Sequence, residues 1–489
     1  MAGFRGVSLP EGVTGSSFLH QTLLDAQRSF PDAFGAVSIP ADPKRFKTGF
    51  DEVLVHFEAA RAGSPRRAEI ARHVQRAVSS RVRFEDEAGW RSLQDAMSEP
   101  ATPMGLTRHP TRGPGRLTPQ VEARGEVRQG AALRAWLERM CADRMLSEDV
   151  VAALGRLLDG EQPLSLAGER FVLLGAGAEL SPAATLLAAG AEVLWFDLRP
   201  PNDLLERDDL GGVLVVPNRP ANLLEDPKSI AATIRAFAAD GPVHLGMYAY
   251  AGGESQEWRL TAAMNAILRS LPPSVVKSVA LLISPTTAIA TLAADLDAAR
   301  TRRQTAPRWR RLLRRAGVLA DSHHVAGDVA VARSIVPLQG ASYQAAQYVG
   351  KILAAEAHAV WGSQLSDPPV PLTVSANVAP ITATRSLSHP VFEAGFLCAA
   401  DWMLYISESC TTRQLQALLM IHDVTRPDAP AAAAQLYEDA AARGAAVFRE
   451  QAHGGTCAQG FGLEGSIRVA AMIGFMRRPQ LLLRLIRGR

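Results

Sequence analysis

A strand–turn–helix–strand pattern between Phe171 and Pro200 restricts the fold of this chain more than any other segment does. The apolar run FVLL is followed by Gly175 and Gly177, then by the alanine-rich stretch SPAATLLAAGA, and then by a second apolar run that ends at Asp197. Short apolar runs bounded by glycine are typical of buried strands, and the alanine-rich stretch between them favours a helix. The pattern therefore predicts two parallel strands joined by a helical crossover.

Apolar runs of this kind recur from about residue 168 onwards and alternate with helical stretches. The six runs are RFVLLG, EVLWFD, GGVLVVP, VHLGMYAY, SVALLIS and PLTVSAN. Their apolar residues are continuous rather than alternating, which indicates strands that are buried on both faces, as in a parallel sheet between two layers of helices. We therefore expect an α/β fold with a doubly wound parallel sheet, flanked by helical N-terminal and C-terminal extensions.

The chain has 489 residues, which is more than one ordinary domain needs. Segment 98–119 is rich in Pro, Gly and Thr, and this composition predicts a loop or linker. The expected regions are a mixed, mainly helical N-terminal region that ends in this linker (1–118), a helical hairpin (119–167), the sheet domain (168–390) with an arginine-rich insertion (288–341), and a helical C-terminal region (391–489). Residues 1–165 carry no motif that assigns them a role.

Composition excludes several classes of protein. The chain has 52 Lys and Arg against 49 Asp and Glu, and this small net charge of +3 argues against a nucleic-acid-binding protein. Its four cysteines lie far apart without a C-x-x-C, so we expect reduced thiols and neither a disulfide framework nor a metal site. The N-terminus lacks the apolar segment of a signal peptide, and the chain lacks an apolar run of about 18 residues. These features predict a cytoplasmic protein without a membrane span.

The glycine turn after the first apolar run predicts a nucleotide site. Gly175 and Gly177 form G-x-G directly after a strand, where glycine lets the backbone approach a diphosphate at the start of a helix. Asp197 ends the next strand 22 residues after Gly175, which suits a carboxylate that binds a ribose 2′-hydroxyl. Arg199 could instead neutralise a 2′-phosphate, so we expect NAD or NADP, and Asp197 favours NAD.

Two residues of the same turn argue against a nucleotide. Leu180 stands in the place of the third glycine, and Glu179 puts a negative charge near the expected phosphates. The alternative is a Rossmann-like unit that serves as a scaffold and binds no nucleotide.

Further segments follow the motif order of a known enzyme family. Residues 221–254 match a stretch that runs from an adenine-contacting acid through a helix to an N-A-G motif. Asn222 stands at the position of the acid. The tripeptide that ends in Ala251 and Gly252 stands at the position of N-A-G.

The remaining motifs follow the fifth and sixth apolar runs. Ser284 is the last residue of the fifth run, and Tyr343 lies in a helical segment further on. Thr384 follows the sixth run in a segment similar to N-x-V-x-P-G-x-x-x-T. In their order and type, these motifs resemble those of the short-chain dehydrogenase/reductase family over about residues 170–390.

The resemblance implies a Rossmann-like NAD(P)-binding fold and a role for each matching residue. Tyr343 would deliver or remove a proton at the substrate oxygen, and Ser284 would hydrogen-bond to that oxygen. The residues implied to contact the cofactor are Gly175, Gly177, Asp197, Arg199, Asn222, Ala251, Gly252, Gln347 and Thr384.

The sequence departs from the family at the catalytic lysine. Gln347 stands in its place, and an amide can hold a ribose but cannot lower the pKa of a phenol as a nearby cation does. Lys351, eight residues after Tyr343, shares its helix face and is the remaining candidate for that role. Ser284 and Tyr343 are separated by 59 residues, against about a dozen in the family, so the insertion should lie beside the expected site.

The resemblance implies an NAD(P)-dependent oxidoreductase that acts on a carbonyl or hydroxyl substrate. A first alternative is a non-catalytic Rossmann-fold protein that binds a nucleotide or takes part in an assembly. A second alternative is a methyltransferase, although the first strand lacks the acidic residue that such enzymes usually carry.

Positive charge is concentrated in two segments. Eight arginines fall between Arg300 and Arg315 in the insertion, with Trp309 among them. Such a cluster attracts phosphates, carboxylates or acidic surfaces, which predicts a substrate linked to CoA or to an acyl carrier protein; the alternative is a solvated face. The C-terminal segment 466–489 is basic and amphipathic, and we expect it either to lie on an anionic membrane or to pack within the fold or at the interface of a homo-oligomer.

Overall fold

The computed structural model describes residues 6–87, 89–160, 163–251, 255–361, 372–387, 389–433 and 439–487. The strands are β1 (Gly6–Ser8), β2 (Arg83–Asp86), β3 (Gly89–Ser92), β4 (Leu106–Pro110), β5 (Gln120–Ala123), β6 (Glu126–Gln129), β7 (Arg170–Leu174), β8 (Glu192–Phe196), β9 (Val213–Pro217), β10 (Val243–Met247), β11 (Val276–Ile283), β12 (His323–Ala326), β13 (Val329–Ala332) and β14 (Thr373–Val378).

The first α-helices are α1 (Gly15–Ser29), α2 (Pro31–Phe34), α3 (Pro43–Ala62), α4 (Arg67–Arg81), α5 (Leu93–Ser98), α6 (Gly130–Ala142), α7 (Glu148–Asp159), α8 (Ala183–Ala188), α9 (Asn202–Leu205), α10 (Pro227–Phe237), α11 (Gln256–Ser270), α12 (Ala293–Gln304) and α13 (Arg308–Arg315). They are followed by α14 (Ala341–Gln344), α15 (Ala354–Trp361), α16 (Pro390–Phe396), α17 (Ser409–Thr425), α18 (Pro430–Ala433), α19 (Ala440–Ala446), α20 (Leu463–Arg477) and α21 (Pro479–Arg487). A π-helix spans Ala345–Leu353 between α14 and α15.

A seven-stranded sheet forms the centre of the molecule, with the order β14-β11-β10-β7-β8-β9-β4. The six apolar runs of the sequence form the strands β7 to β11 and β14, and neighbouring strands among these six are parallel. When these six strands are numbered 1 to 6 along the chain, their order across the sheet is therefore 6-5-4-1-2-3. This order is compatible with a Rossmann-like fold.

The edge strand β4 differs from the sequence prediction. It comes from segment 98–119, which was expected to be a linker, and it pairs with β9 in the antiparallel direction from Leu106 to Pro110. The N-terminal region therefore contributes a strand to the central sheet. The predicted domain boundary at residue 118 therefore separates β4 from β9, which are neighbouring strands of one sheet.

Helices cover both faces of the sheet. Val172 and Leu174 of β7 belong to one core, which also includes residues of α1, α3, α4, α10 and α11. Phe171 and Leu173 belong to a second core, which includes residues of α6, α7, α8 and α17. Successive side chains of a strand point to opposite faces, so continuous apolar runs were required to fill both cores.

The N-terminal helices are joined to the helices beside the sheet by a buried ionic network. Arg61 of α3 donates to Glu58 (2.7 and 2.8 Å) and to Glu356 of α15 (2.8 Å). Arg67 of α4 donates to Glu356 at 2.6 and 3.0 Å. Tyr348 of the π-helix donates its hydroxyl to Glu58 at 2.7 Å. The region 1–118 is thus fixed to the sheet domain through side chains that lie almost entirely out of solvent.

The segment 119–167, predicted as a helical hairpin, begins with the β5–β6 hairpin and continues with α6 and α7. Ser147 caps α7 by accepting a hydrogen bond from the Val150 amide. In the described part of the chain, none of the helices has both the length and the apolar character that crossing a membrane requires.

Candidate functional site

A cavity of about 320 Å³ opens at the carboxyl ends of β10, β11 and β14. The residues at its wall follow these strands directly: Tyr250 and Ala251 after β10, Ser284 after β11, and residues 379–382 after β14. Parallel sheets bind their ligands at this end of the strands, because the loops that follow the strands converge there. The cavity is therefore the candidate functional site.

Ser284 and Tyr343 meet at the wall of this cavity. The Ser284 Oγ lies 2.9 Å from Thr286 Oγ1, and the Tyr343 phenol interacts with both hydroxyls. The insertion between the two residues forms α12, α13 and the β12–β13 hairpin, and the chain then returns to the sheet at α14. Ser284 and Tyr343 therefore lie side by side, although 59 residues separate them in the sequence.

Gln347 and Lys351 line the same cavity from the π-helix, which directly follows the helix of Tyr343. A π-helix is wider than an α-helix, and π-helical turns are frequent at functional sites. Gly350 allows the π-helix to approach α11, since a Cβ there would lie 2.4 Å from the Thr261 hydroxyl. The predicted site residues 343, 347 and 351 therefore share one face of a continuous helical segment.

Glu257 of α11 is a site residue that the sequence did not reveal. Its Oε1 accepts hydrogen bonds from Gln347 Nε2 at 2.6 Å and from Lys351 Nζ at 3.4 Å. Gln347 in turn accepts a hydrogen bond from the Ser284 amide at 3.0 Å, so one amide side chain links the carboxylate to the end of β11. Glu257 lies in the first turn of α11 next to Trp258, and no motif of the sequence singles it out.

The electrostatics of the cavity differ from those of a dehydrogenase that lowers the pKa of its tyrosine. Burial raises the pKa of the Tyr343 phenol, the Glu257 carboxylate raises it further, and the hydroxyls of Ser284 and Thr286 lower it only in part. Lys351 is buried and pairs with Glu257. Its charge is therefore balanced by the carboxylate, and the phenol stays protonated at neutral pH.

The two glycines of the turn are not part of the described cavity wall, although Leu180 of the same turn is. Gly175 has φ = +82°, and a Cβ at this position would lie 2.3 Å from the amide nitrogen of Ala249. The Gly177 amide donates to Asp197 Oδ2 at 2.9 Å, and the Arg199 amide donates to Asp197 Oδ1 at 3.0 Å. The carboxylate expected to bind a ribose is thus held in the turn by two backbone amides.

The other amides of this turn are also largely committed. Ala178 N donates to Gly175 O at 3.0 Å, and Ser181 N donates to Ala178 O at 2.9 Å. The helix α8 begins only at Ala183 and has six residues, so its N-terminus does not coincide with the glycines. A diphosphate needs free backbone donors at the start of a helix, and the arrangement here does not fit one.

Glu179 adds a further obstacle to a phosphate. It accepts hydrogen bonds from Ser409 Oγ at 2.5 Å and from the Tyr250 hydroxyl at 3.5 Å, which fixes its carboxylate between the turn and the cavity. A negative charge held in this position repels a phosphate group.

The remaining predicted cofactor residues are divided between two places. Ala251 and Thr384 line the cavity. Asn222 caps its own turn, because its side chain accepts from the Leu224 amide at 3.0 Å and donates to Glu225 at 2.7 Å. Gly252 lies outside the described residues.

The arginine cluster of the insertion, Arg300–Arg315, is not part of the described cavity wall, whereas Leu338 and Gln339 near the end of the insertion are. Arg310 stacks on the Trp402 ring at 4.1 Å and donates to the backbone oxygen of Asp401 at 2.5 Å. Arg303 and Arg314 both pair with Asp321, at 3.2 and 2.7 Å. Arg310 therefore fixes α13 to the C-terminal region, and Asp321 holds α12 and α13 together within the insertion. These arginines are not in the described cavity wall, where the expected CoA-linked or carrier-linked substrate would need them.

A second group of ionisable residues is buried between β14 and α17. The His422 Nδ1 lies 3.4 Å from Asp423 and 3.7 Å from Glu450, and Ser375 donates a hydrogen bond to Asp423. His422 Nε2 accepts from Arg156 Nε at 3.1 Å, so the imidazole carries its proton on Nδ1 and presents no lone pair to a metal there. We interpret the group as a hydrogen-bonded network in the core.

No protein-family model matches this chain, and no curated protein matches it significantly.

Proposed function

We propose that this chain is a Rossmann-like binding protein of dehydrogenase ancestry whose cavity holds a small organic molecule by its carbonyl or hydroxyl oxygen, without redox turnover. The observation that carries the proposal is the meeting of the Ser284, Thr286 and Tyr343 hydroxyl groups at the wall of a cavity of about 320 Å³. Cavities of roughly 300 Å³ and larger hold small organic ligands. Three neighbouring hydroxyl groups offer both donors and acceptors to one ligand oxygen.

The protonation state of the cavity determines what it binds. The Tyr343 phenol has a raised pKa and therefore keeps its proton, so it donates to a carbonyl or hydroxyl oxygen and does not act as a base near neutral pH. The charges of Lys351 and Glu257 balance each other. The apolar side chains of Leu282 and Phe392 complete the wall. These features favour an uncharged ligand with an apolar body.

Two observations speak against redox turnover in this cavity. The backbone donors that a dinucleotide diphosphate requires are bonded within the glycine turn, with Asp197 on the Gly177 amide. Lys351 contacts Glu257 and is therefore not free to lower the pKa of Tyr343. A site that lacks free backbone donors for the cofactor and a tyrosine with a lowered pKa is suited to binding a ligand without redox chemistry.

The experiment begins with a panel of uncharged ketones, esters and alcohols, screened by thermal shift against the full chain. For a compound that raises the melting temperature, we expect Tyr343→Phe and Ser284→Ala to weaken binding by about three- to tenfold each, the effect of losing one neutral hydrogen bond. Tyr405→Phe is the matched control, because its phenol interacts with Ser407 and Thr411 and is not part of the described cavity wall. Equal effects of the two tyrosine variants would contradict the proposal.

A second candidate function is an NAD(P)-dependent oxidoreductase of short-chain dehydrogenase type. It is favoured by the convergence of residues that the family resemblance selects. Those that line the one cavity are Ala251, Ser284, Tyr343, Gln347, Lys351 and Thr384.

Calorimetric titration with NADH and with NADPH distinguishes the two candidates. The binding proposal predicts no saturable heat up to about 1 mM cofactor, which is the upper end of the usual range of KM values for enzymes. Binding with a Kd below about 0.1 mM that Asp197→Ala abolishes would favour the oxidoreductase. In that case Tyr343→Phe should stop hydride transfer while cofactor binding is kept.

A further inference from the structure

Three helices that pack against the same C-terminal segment, α13, α20 and α21, carry exposed apolar side chains. Met472 and Met476 lie four residues apart on α20 and are 57% and 73% exposed. The other exposed apolar residues of these helices are Trp309 and Leu312 on α13, and Leu482, Leu483 and Ile486 on α21. Monomers rarely expose a large apolar patch, and such a patch usually marks an interaction surface. We refer to these seven residues, together with the arginines of α13, α20 and α21 and with Arg478 between the last two helices, as the C-terminal surface.

The three helices are held next to one another. Arg310 of α13 donates to the backbone oxygen of Asp401, and Arg477 at the end of α20 pairs with the carboxylate of Asp401 at 3.0 Å. The chain turns at Arg478 and continues directly into α21, whose Leu481 packs into a small core with Ala394 and Ala471. The exposed side chains of α13, α20 and α21 therefore belong to neighbouring elements.

This surface carries an excess of positive charge. Helix α13 has five arginines and no acidic residue. Arg468, Arg477 and Arg484 are paired with carboxylates. Within the part of the chain that the structure describes, no ion pair is formed by four further arginines of this surface, which are Arg308, Arg311, Arg315 and Arg478.

We propose that the C-terminal surface binds the surface of an anionic lipid bilayer. Helices with arginines along an apolar face lie in the plane of the membrane, where the apolar side chains enter the boundary of the acyl chains and the arginines contact the headgroups. Tryptophan favours the same boundary, which suits the exposed Trp309. A second copy of the same surface would bring unpaired arginines face to face, so self-association is the less favourable occupant.

The test is co-sedimentation of the full chain with vesicles of phosphatidylcholine alone and with vesicles that contain about 30% phosphatidylserine. We expect binding to the anionic vesicles only, and we expect it to weaken at least tenfold when salt is raised from about 0.1 to 0.5 M. The charge variant Arg308→Glu/Arg311→Glu/Arg315→Glu and the apolar variant Leu482→Ser/Leu483→Ser/Ile486→Ser should each weaken it about tenfold or more.

The matched control reverses three exposed cations on another helix, as Lys44→Glu/Arg45→Glu/Lys47→Glu on α3. It changes the net charge equally and should leave vesicle binding within about twofold of the unmodified chain. Melting temperatures of all variants establish that they fold. Equal loss in the α3 control, equal binding to neutral vesicles, or no binding would each overturn the proposal. So would a dimer in sedimentation velocity that the apolar variant dissociates, since a second copy would then cover the surface.

Discussion

The substitution Glu356→Gln tests how the N-terminal helices hold α15, which directly continues the π-helix that lines the cavity. Glu356 is fully buried, and its two oxygens accept three hydrogen bonds from Arg61 and Arg67 at 2.6 to 3.0 Å. Glu58 is the second carboxylate of the network and also accepts from Tyr348 of the π-helix. The glutamine removes one of two negative charges and places an amide N–H against a guanidinium group.

The magnitude follows from the burial of the partners. Arg61 is 0% exposed and Arg67 is 8% exposed, so neither guanidinium group can recover its lost partner from water. Removing one member of a buried ion pair typically costs about 3–5 kcal/mol. We expect Glu356→Gln to lower the free energy of unfolding by that amount, which is a large fraction of the roughly 5–15 kcal/mol that stabilises most domains.

Urea denaturation followed by circular dichroism measures the loss, with Glu69→Gln as the matched control. Glu69 accepts two hydrogen bonds from Arg66 at 2.8 and 2.9 Å, but the two side chains are 45% and 41% exposed. An exposed pair contributes about 0–1 kcal/mol because water replaces the lost partner. Equal losses in the two variants would refute the assignment of the buried network as the link between the N-terminal helices and the cavity helix.

Two further substitutions test features of the fold. Burial and the neighbouring Asp423 raise the pKa of Glu450 to about 10, above its ordinary 4.5, so the folded chain holds a proton that the unfolded chain loses. The free energy of unfolding should therefore fall from pH 7 to 9 by up to about 1.4 kcal/mol per pH unit. Urea titrations at several pH values should record this fall, and a less steep one in Glu450→Gln. Gly175→Ala would put a Cβ 2.3 Å from the Ala249 amide at φ = +82° and should cost about 3–5 kcal/mol by denaturation, whereas Gly168→Ala, at φ = +87° with no atom within 4 Å, should cost only about 1–2 kcal/mol.

The central strands could be predicted because each carries a continuous apolar run, and both faces of the sheet are covered by helices. The edge strand β4 could not be predicted in this way. Its sequence, LTRHP, has no apolar run, and its side chains are mostly exposed or half-buried. Its pairing with β9 connects residues more than a hundred positions apart, and local pattern carries no information about such a contact.

The candidate site was partly predictable for a similar reason. Tyr343 and Lys351 lie eight residues apart on one helical segment, so helical spacing indicated that they share a face. Ser284 was placed in the same site by the family resemblance, and all three residues line the cavity. The pairing of Lys351 with Glu257 depends on how α11 crosses the π-helix, and a single sequence does not specify that contact. The assignment of Lys351 as the cation that lowers the pKa of Tyr343 stays a prediction, and its ion pair speaks against it.

The glycine motif shows why one pattern can serve two purposes. Glycine is needed at 175 because the backbone takes a positive φ against Ala249, and at 177 because a Cβ would lie 2.9 Å from the Asp197 carboxyl carbon. Gly177 would let a diphosphate approach the backbone, but here it lets the Asp197 carboxylate of the same chain approach. That carboxylate accepts the hydrogen bond of the Gly177 amide, which a phosphate would otherwise accept. A G-x-G followed by an aspartate at the end of the next strand therefore indicates a tight approach between the two strand ends, and only the state of the amides decides whether a nucleotide can take part in it.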